Sequence, residues 1–308
     1  MIWIAFCAIA AAISVVAMFC DNFITDTLFK GRHAQGQKVF YGPAYLITCL
    51  VMFFIFPIQN IPLETIGLLV LSGFINTVGS IFYYTAMSKD DTNNVTLFEQ
   101  LAPLFYLVFG RFILGEHISI GQLIAFLIVL AAPIIIVLTS RKRSKKAKLC
   151  TAGFVALEVG IAALGHTLAA KGGVGLDPAT LLFYVMLGKG IGDTAEILVV
   201  KSWRHRFFNV LKATKKKRHF WIPFTADHFL YLAYDALYYS AMLMAPTIAI
   251  VPAVVKSAKP LLVFLFGVVF SILWPSFGRE KINKKSISIR LVATGLAVAG
   301  VMLMQMLS

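Results

Sequence analysis

Ten apolar runs, most of them near 20 residues long, account for most of the chain. A helix of about 20 apolar residues spans the hydrocarbon core of a bilayer. Inside that core every backbone N–H and C=O has to be bonded within the protein, and a helix does this within a single segment. The expected fold class is therefore an all-α polytopic membrane protein. The ten spans fall near 2–28, 40–58, 64–87, 93–114, 119–139, 149–170, 179–200, 222–244, 247–273 and 287–307. At 308 residues, little chain is left for a soluble domain. Pro57, Pro62, Pro178, Pro223, Pro246 and Pro275 fall at or near the expected ends, where a missing N–H does least harm. The first run has no basic leader and no clear cleavage signal, so it reads as a retained span. Cys7, Cys20, Cys49 and Cys150 have no C-x-x-C spacing and read as small core residues.

The loops divide by charge. Those after spans 1, 3, 5, 7 and 9 hold Lys30, Arg32 and Lys38; Lys89; the run Arg141–Lys148; the run Lys201–Arg218; and Arg279, Lys281, Lys284 and Lys285. The remaining loops hold little beyond Arg111 and Lys171. Basic loops stay in the cytoplasm, so both termini are expected outside. The net charge of +14 is then a topological signal and needs no nucleic-acid partner. Between Trp203 and Trp221, basic residues alternate with Phe207, Phe208, Val210 and Leu211. This segment is expected to lie on the anionic inner leaflet, or to act as a plain positive anchor.

The chain also repeats itself. Tyr83-Tyr84-Thr85-Ala86-Met87 returns 155 positions later as Tyr238-Tyr239-Ser240-Ala241-Met242. Glu99-Gln100-Leu101-Ala102-Pro103 is answered by Lys256-Ser257-Ala258-Lys259-Pro260, and Gly115-Glu116-His117-Ile118 by Arg279-Glu280-Lys281-Ile282. A weaker echo pairs Asp26-Thr27-Leu28 with His166-Thr167-Leu168. The expected units are residues 1–148 and 149–308. With five spans per unit, the second enters the membrane from the opposite side. That is the inverted-repeat plan of secondary transporters, with the substrate site near the midplane.

These features resemble the drug/metabolite transporter superfamily, and within it the EamA-type ten-helix proteins. The likeness rests on the Tyr-Tyr-x-Ala-Met ends of spans 3 and 8, on Pro103 and Pro260, and on the Leu114-Gly115-Glu116 turn. Span 1 has Cys20-Asp21-Asn22 where the family commonly has a Trp-Gly pair. The resemblance implies metabolite or drug transport by alternating access without a bound cofactor. The organophosphate and nucleotide-sugar branches look similar at Lys259.

A charge at the bilayer centre costs about 2.5–3.5 kcal/mol even on the lenient insertion scale. Glu99, Glu158, Lys189, Asp193, Glu196, Asp235, Lys256 and Lys259 fall deep in the spans, while Asp21, Asp26, His166 and Asp227 fall nearer the ends. Lys256 and Lys259 share one helix face at i, i+3, next to Pro260. They form a seat for a carboxylate or phosphate, or else each pairs with Glu99, Asp193 or Asp235. Glu99 and Lys256 occupy equivalent repeat positions, so they either pair or hold opposite ends of a zwitterion. Span 8 carries a polar stripe of Asp227, Tyr231, Asp235, Tyr238, Tyr239 and Met242. Lys189 and Asp193, at i, i+4, are expected to pair within span 7.

The expected substrate-binding residues are Lys256, Lys259, Glu99, Asp235, Tyr231, Tyr238, Tyr239, Tyr83 and Tyr84, with Glu99, Asp235 and Glu158 as candidates for proton coupling. No metal site, cofactor motif or phosphate-binding loop is evident. The Asp90–Asn94 stretch lacks calcium-loop spacing and reads as a helix cap. The function expected first is a secondary transporter, working as monomer or homodimer, that exports or exchanges a small zwitterionic or anionic metabolite such as an amino acid. The second is an organophosphate, nucleotide-sugar or drug transporter of the same fold. The third, an intramembrane lipid-phosphate enzyme, lacks the Arg/His/Glu cluster it would need. A prokaryotic inner membrane is the expected location.

Overall fold

The computed structural model describes residues 2–24, 38–87, 98–117, 142–214, 218–245 and 250–273, together with isolated positions at 89, 95–96, 119–121, 124–125, 127–128, 248, 292, 295–296, 299–300 and 303. Among the described residues there are helices and turns and no strand. In chain order the helices are α1 (Ile2–Phe23), α2 (Lys38–Ile55), α3 (Leu63–Met87), α4 (Ala102–Phe109), α5 (Lys142–Gly173), α6 (Pro178–Val199), α7 (Lys201–Thr214), α8 (Arg218–Met244) and α9 (Ile250–Leu273). Most of spans 5 and 10, the basic loop at 279–285, Asp26 and the Asp90–Asn94 cap lie outside the described residues.

Three expectations need correction. Span 4 is not one regular helix: a 3-10 turn at Glu99–Leu101 leads into α4, and a π turn at Gly110–Leu114 follows it. Pro103 has no N–H, so the regular bond pattern can begin only around it. Gly115, at φ +73°, ends the segment in the left-handed conformation that glycine adopts freely. Secondly, the basic run before span 6 is helical rather than loop, because α5 starts at Lys142. Thirdly, Pro223 lies inside α8, since that helix begins at Arg218. Pro178 does open α6, where Asp177 caps the helix by accepting the Thr180 N–H at 2.9 Å.

Ile2–Asp21, Leu63–Met87 and Leu149–Gly173 are long and apolar enough to cross a membrane. Helices α6, α8 and α9 run 22, 27 and 24 residues, which also reaches across a hydrocarbon core. Their apolar runs carry charges of the interior: Lys189 and Asp193 on α6, Asp235 on α8, and Lys256 and Lys259 on α9. The outer surface keeps large apolar side chains in the open, with Leu63 82%, Phe112 83% and Val199 82% exposed. A surface of that kind is stable against lipid and not against water.

Packing between the earlier and the later helices of the chain is reciprocal. Helix α3 lies on α5, and α1 lies on α8. Similarly α1 touches α9 while α4 touches α5, and α2 meets α6. The closest approach is between α3 and α6. A Cβ added to Gly73 would stand 2.0 Å from the Val185 carbonyl oxygen, and one added to Gly188 would stand 2.0 Å from that of Val70. Small residues let membrane helices meet backbone to backbone in this way. Helix α7 lies along the bundle with Trp203, Phe207 and Leu211 against the core. Its Phe207 ring is 5.4 Å from Phe40 in the first turn of α2, while Arg204, His205, Phe208 and Lys212 face outward.

Candidate functional site

The helices line a cavity of about 170 Å³ that is partly open to its surroundings. Asn76, Thr77 and Ser80 line it from α3, where bulkier side chains would fill the space. Four lysines and four carboxylates line the wall: Lys38, Lys189, Lys256 and Lys259 against Glu99, Glu158, Asp193 and Asp235. The lining is therefore neutral overall, and all of its charges but that of Glu158 fall into three separate clusters.

At the first cluster, Glu99 Oε2 lies 3.1 Å from Lys256 Nζ and 3.3 Å from Lys259 Nζ. Both lysines come from α9, and the carboxylate comes from the turn before α4. The repeat-equivalent positions 99 and 256 are thus in contact. Pro260 cannot bond the Lys256 carbonyl four residues back. Gln100 does so in its place, its Nε2 donating to that oxygen at 2.5 Å. The Lys259 ammonium also stands 5.9 Å from the centroid of Tyr234.

At the second cluster, Lys189 Nζ meets Asp235 Oδ2 at 2.6 Å and stands 5.8 Å from the Tyr45 ring. At the third, Lys38 Nζ bridges Asp193 Oδ1 at 2.9 Å and Glu196 Oε2 at 2.5 Å. Trp203 of α7 covers it, with its ring centroid 5.4 Å away. These two clusters replace the expected Lys189–Asp193 pair. Each of those residues finds its partner on another helix. Lys38, read as a loop charge, is buried at 1% exposure.

A network of hydroxyls and carboxylates extends from the cavity. Tyr231 donates to Asp21 Oδ2 at 2.5 Å, and Tyr84 and Tyr41 reach Asp21 Oδ1 at 3.5 and 3.4 Å. Tyr41 is also hydrogen-bonded to Asp227. Asp21 and Asp227, read as residues near helix ends, are thus buried in the bundle.

Of the nine residues expected to bind substrate, Glu99, Lys256, Lys259, Asp235, Tyr231, Tyr83 and Tyr84 line the cavity. Tyr238 and Tyr239 are buried behind its wall, with the Tyr238 hydroxyl 3.0 Å from that of Tyr106. Glu158 lines the cavity as well. Tyr41, Tyr45, Tyr106, His166 and Tyr234 also line it without having been singled out as ligand contacts. The signal for them was present: a tyrosine or histidine deep in an apolar run needs a polar partner or water. Among the described residues, no group of three or more His, Cys, Asp or Glu is placed to hold a metal ion.

No curated protein matches the chain. A solved structure described as "Crystal structure of protein" shares the fold, with a TM-score of 0.60 over 99% of this chain and 96% of that one, at 12% identity. That likeness speaks for the architecture alone. Residues 37–138, about a third of the chain, match the model of the EamA-like transporter family, and over that segment the chain is similar to its members.

Proposed function

We propose that this chain is a secondary active transporter that exports or exchanges a small zwitterionic or anionic metabolite, such as an amino acid, by alternating access. The observation that carries the reading is the cavity between the helices with its paired lysines, Lys256 and Lys259, sharing the one carboxylate of Glu99. Two ammonium groups on one counter-ion leave spare positive charge for an incoming carboxylate. The size of the cavity favours a small solute, because sites for drug-sized ligands usually enclose about 300–1,000 Å³. The reciprocal packing of α3 on α5 and α1 on α8 supports two inverted halves, 1–148 and 149–308, with ten membrane crossings. Glu99, Asp235 and Glu158 are the carboxylates placed to exchange a coupling proton. A prokaryotic inner membrane with both termini outside fits the loop charges. Flux in proteoliposomes tests the reading. Lys256→Ala and Lys259→Ala are each expected to abolish most transport, and unchanged flux for every solute moved by the unaltered protein would refute it.

The paired lysines also favour a second reading, transport of phosphorylated compounds. Inorganic phosphate or nucleotides would then raise the unfolding temperature of the protein, and amino acids would not.

A further inference from the structure

Glu158 belongs to none of the three ion clusters on the cavity wall. Among the described residues its buried Oε2 atom has no hydrogen-bond partner, and no lysine or arginine lies within ion-pair distance of its carboxylate. The neighbouring ammonium groups of Lys256 and Lys259 are both held by Glu99. An ionised carboxylate in such a place is costly until a cation reaches it. The backbone fixes its position. Gly79 of α3 lets α5 come so close that a Cβ there would stand 3.3 Å from the Glu158 carbonyl oxygen. Tyr83 follows one helical turn later on α3 and lines the same cavity.

We infer that Glu158 is the seat for the ligand's ammonium group, facing the lysine pair that takes its carboxylate. The inference rests on the metabolite reading above and specifies it: the ligand is a free amino acid or similar zwitterion, bound with its amine towards α5 and its carboxylate towards α9. Glu158 then sets the preference for zwitterions over simple acids. The entering carboxylate competes with Glu99 for the two lysines, and the entering amine supplies the counter-charge that Glu158 lacks.

The test is binding to the full-length protein in detergent, by calorimetry, with three matched sets of probes. These are alanine, propionate and ethylamine; leucine, isocaproate and isoamylamine; and phenylalanine, hydrocinnamate and phenethylamine. In at least one set the amino acid is expected to bind about tenfold or more tighter than its acid, the scale of one charge-assisted hydrogen bond. Glu158→Gln should bring the two to near-equal affinity while changing that of the acid by less than about twofold. Survival of the preference in Glu158→Gln overturns the inference, as does an equal loss for both probes in a folded variant. Should Glu158→Gln fail to fold, Glu158→Asp carries the test: drawing the carboxylate back by one methylene must reduce the preference without weakening the acid. Binding of acids with no preference for amino acids sinks this inference and leaves the carboxylate-transport reading standing. Absence of binding in all three sets sinks both.

Discussion

Lys38 Nζ lies 2.9 Å from Asp193 and 2.5 Å from Glu196, tying the first turn of α2 to the last turns of α6. One cation holds two carboxylates beneath the ring of Trp203, so the amphipathic α7 closes over a buried ion cluster. Since residues 38 and 193 lie far apart in the chain, the contact fastens α2 to α6.

Removing that cation leaves two carboxylates buried and facing each other. Lys38→Ala is expected to cost about 3–5 kcal/mol, the usual penalty for stripping one partner from a buried pair. Thermal unfolding in detergent measures it. Neutralising the partners as well, with Asp193→Asn and Glu196→Gln, should restore most of the loss, because no unpaired charge then remains.

Two glycines on α3 separate a packing role from a merely flexible one. Gly73→Ala drives a methyl group into the Val185 carbonyl, so the α3–α6 contact must open and the unfolding temperature fall. Gly67→Ala meets nothing within 4 Å and is expected to leave stability unchanged or raise it by up to about 1 kcal/mol through helix propensity. A fall in stability for Gly67→Ala equal to that of Gly73→Ala would contradict the packing described.

Gln100→Leu removes the donor on the Lys256 carbonyl, which Pro260 leaves without a helical partner. The expected cost is about 1–3 kcal/mol for an unsatisfied buried acceptor. Adding Pro260→Ala in the same chain returns a backbone N–H to that carbonyl and should recover part of the loss. A double-mutant cycle on unfolding temperatures reads the coupling.

Asp177 gives a pH dependence outside the spans. Slight burial works to raise its pKa, but hydrogen bonds from Thr180 and the neighbouring backbone N–H of Ala179 outweigh it and hold the carboxyl below its ordinary value of 3.8. The folded pKa is therefore lower than the unfolded one. Its contribution is present in full above pH 3.8 and is lost as the pH falls through the lowered folded value. Asp177→Ala should remove about 1 kcal/mol at neutral pH, and Asp177→Asn much less, because an asparagine side chain still caps the helix. The unfolding midpoint of the alanine variant should fall less steeply on acidification than that of the unaltered chain.

The helical bundle was legible because hydropathy is a local property: α1, α2, α3, α6, α8 and α9 follow the apolar runs closely. The opposition of Glu99 and Lys256 was legible too, because the repeat aligned them. Partner choice was not. Lys189 and Asp193 sit one turn apart and invite a local pair, yet they bond to Asp235 and Lys38. Spacing along one helix carries no information about the helix facing it. Lys38 was hidden by its position in a run of loop charges, since a buried lysine and a solvated one look alike in sequence. Asp21 and Asp227 were placed near water by counting from expected ends, and Tyr41, which joins them, had no charge to draw notice.

The ion pairs of the cavity bear on what the transporter proposed above would do when empty. Glu99 with Lys256 and Lys259, and Lys38 with Asp193 and Glu196, are bolts thrown from α2 and the turn before α4 to the later helices α6 and α9. Parting those helices strips these ions of their counter-charges where no water replaces them, a barrier of several kcal/mol. A carboxylate entering at Lys256 and Lys259 would draw the first bolt. On that reading the loaded protein would move more readily than the vacant one, as an exchanger does and a leak does not.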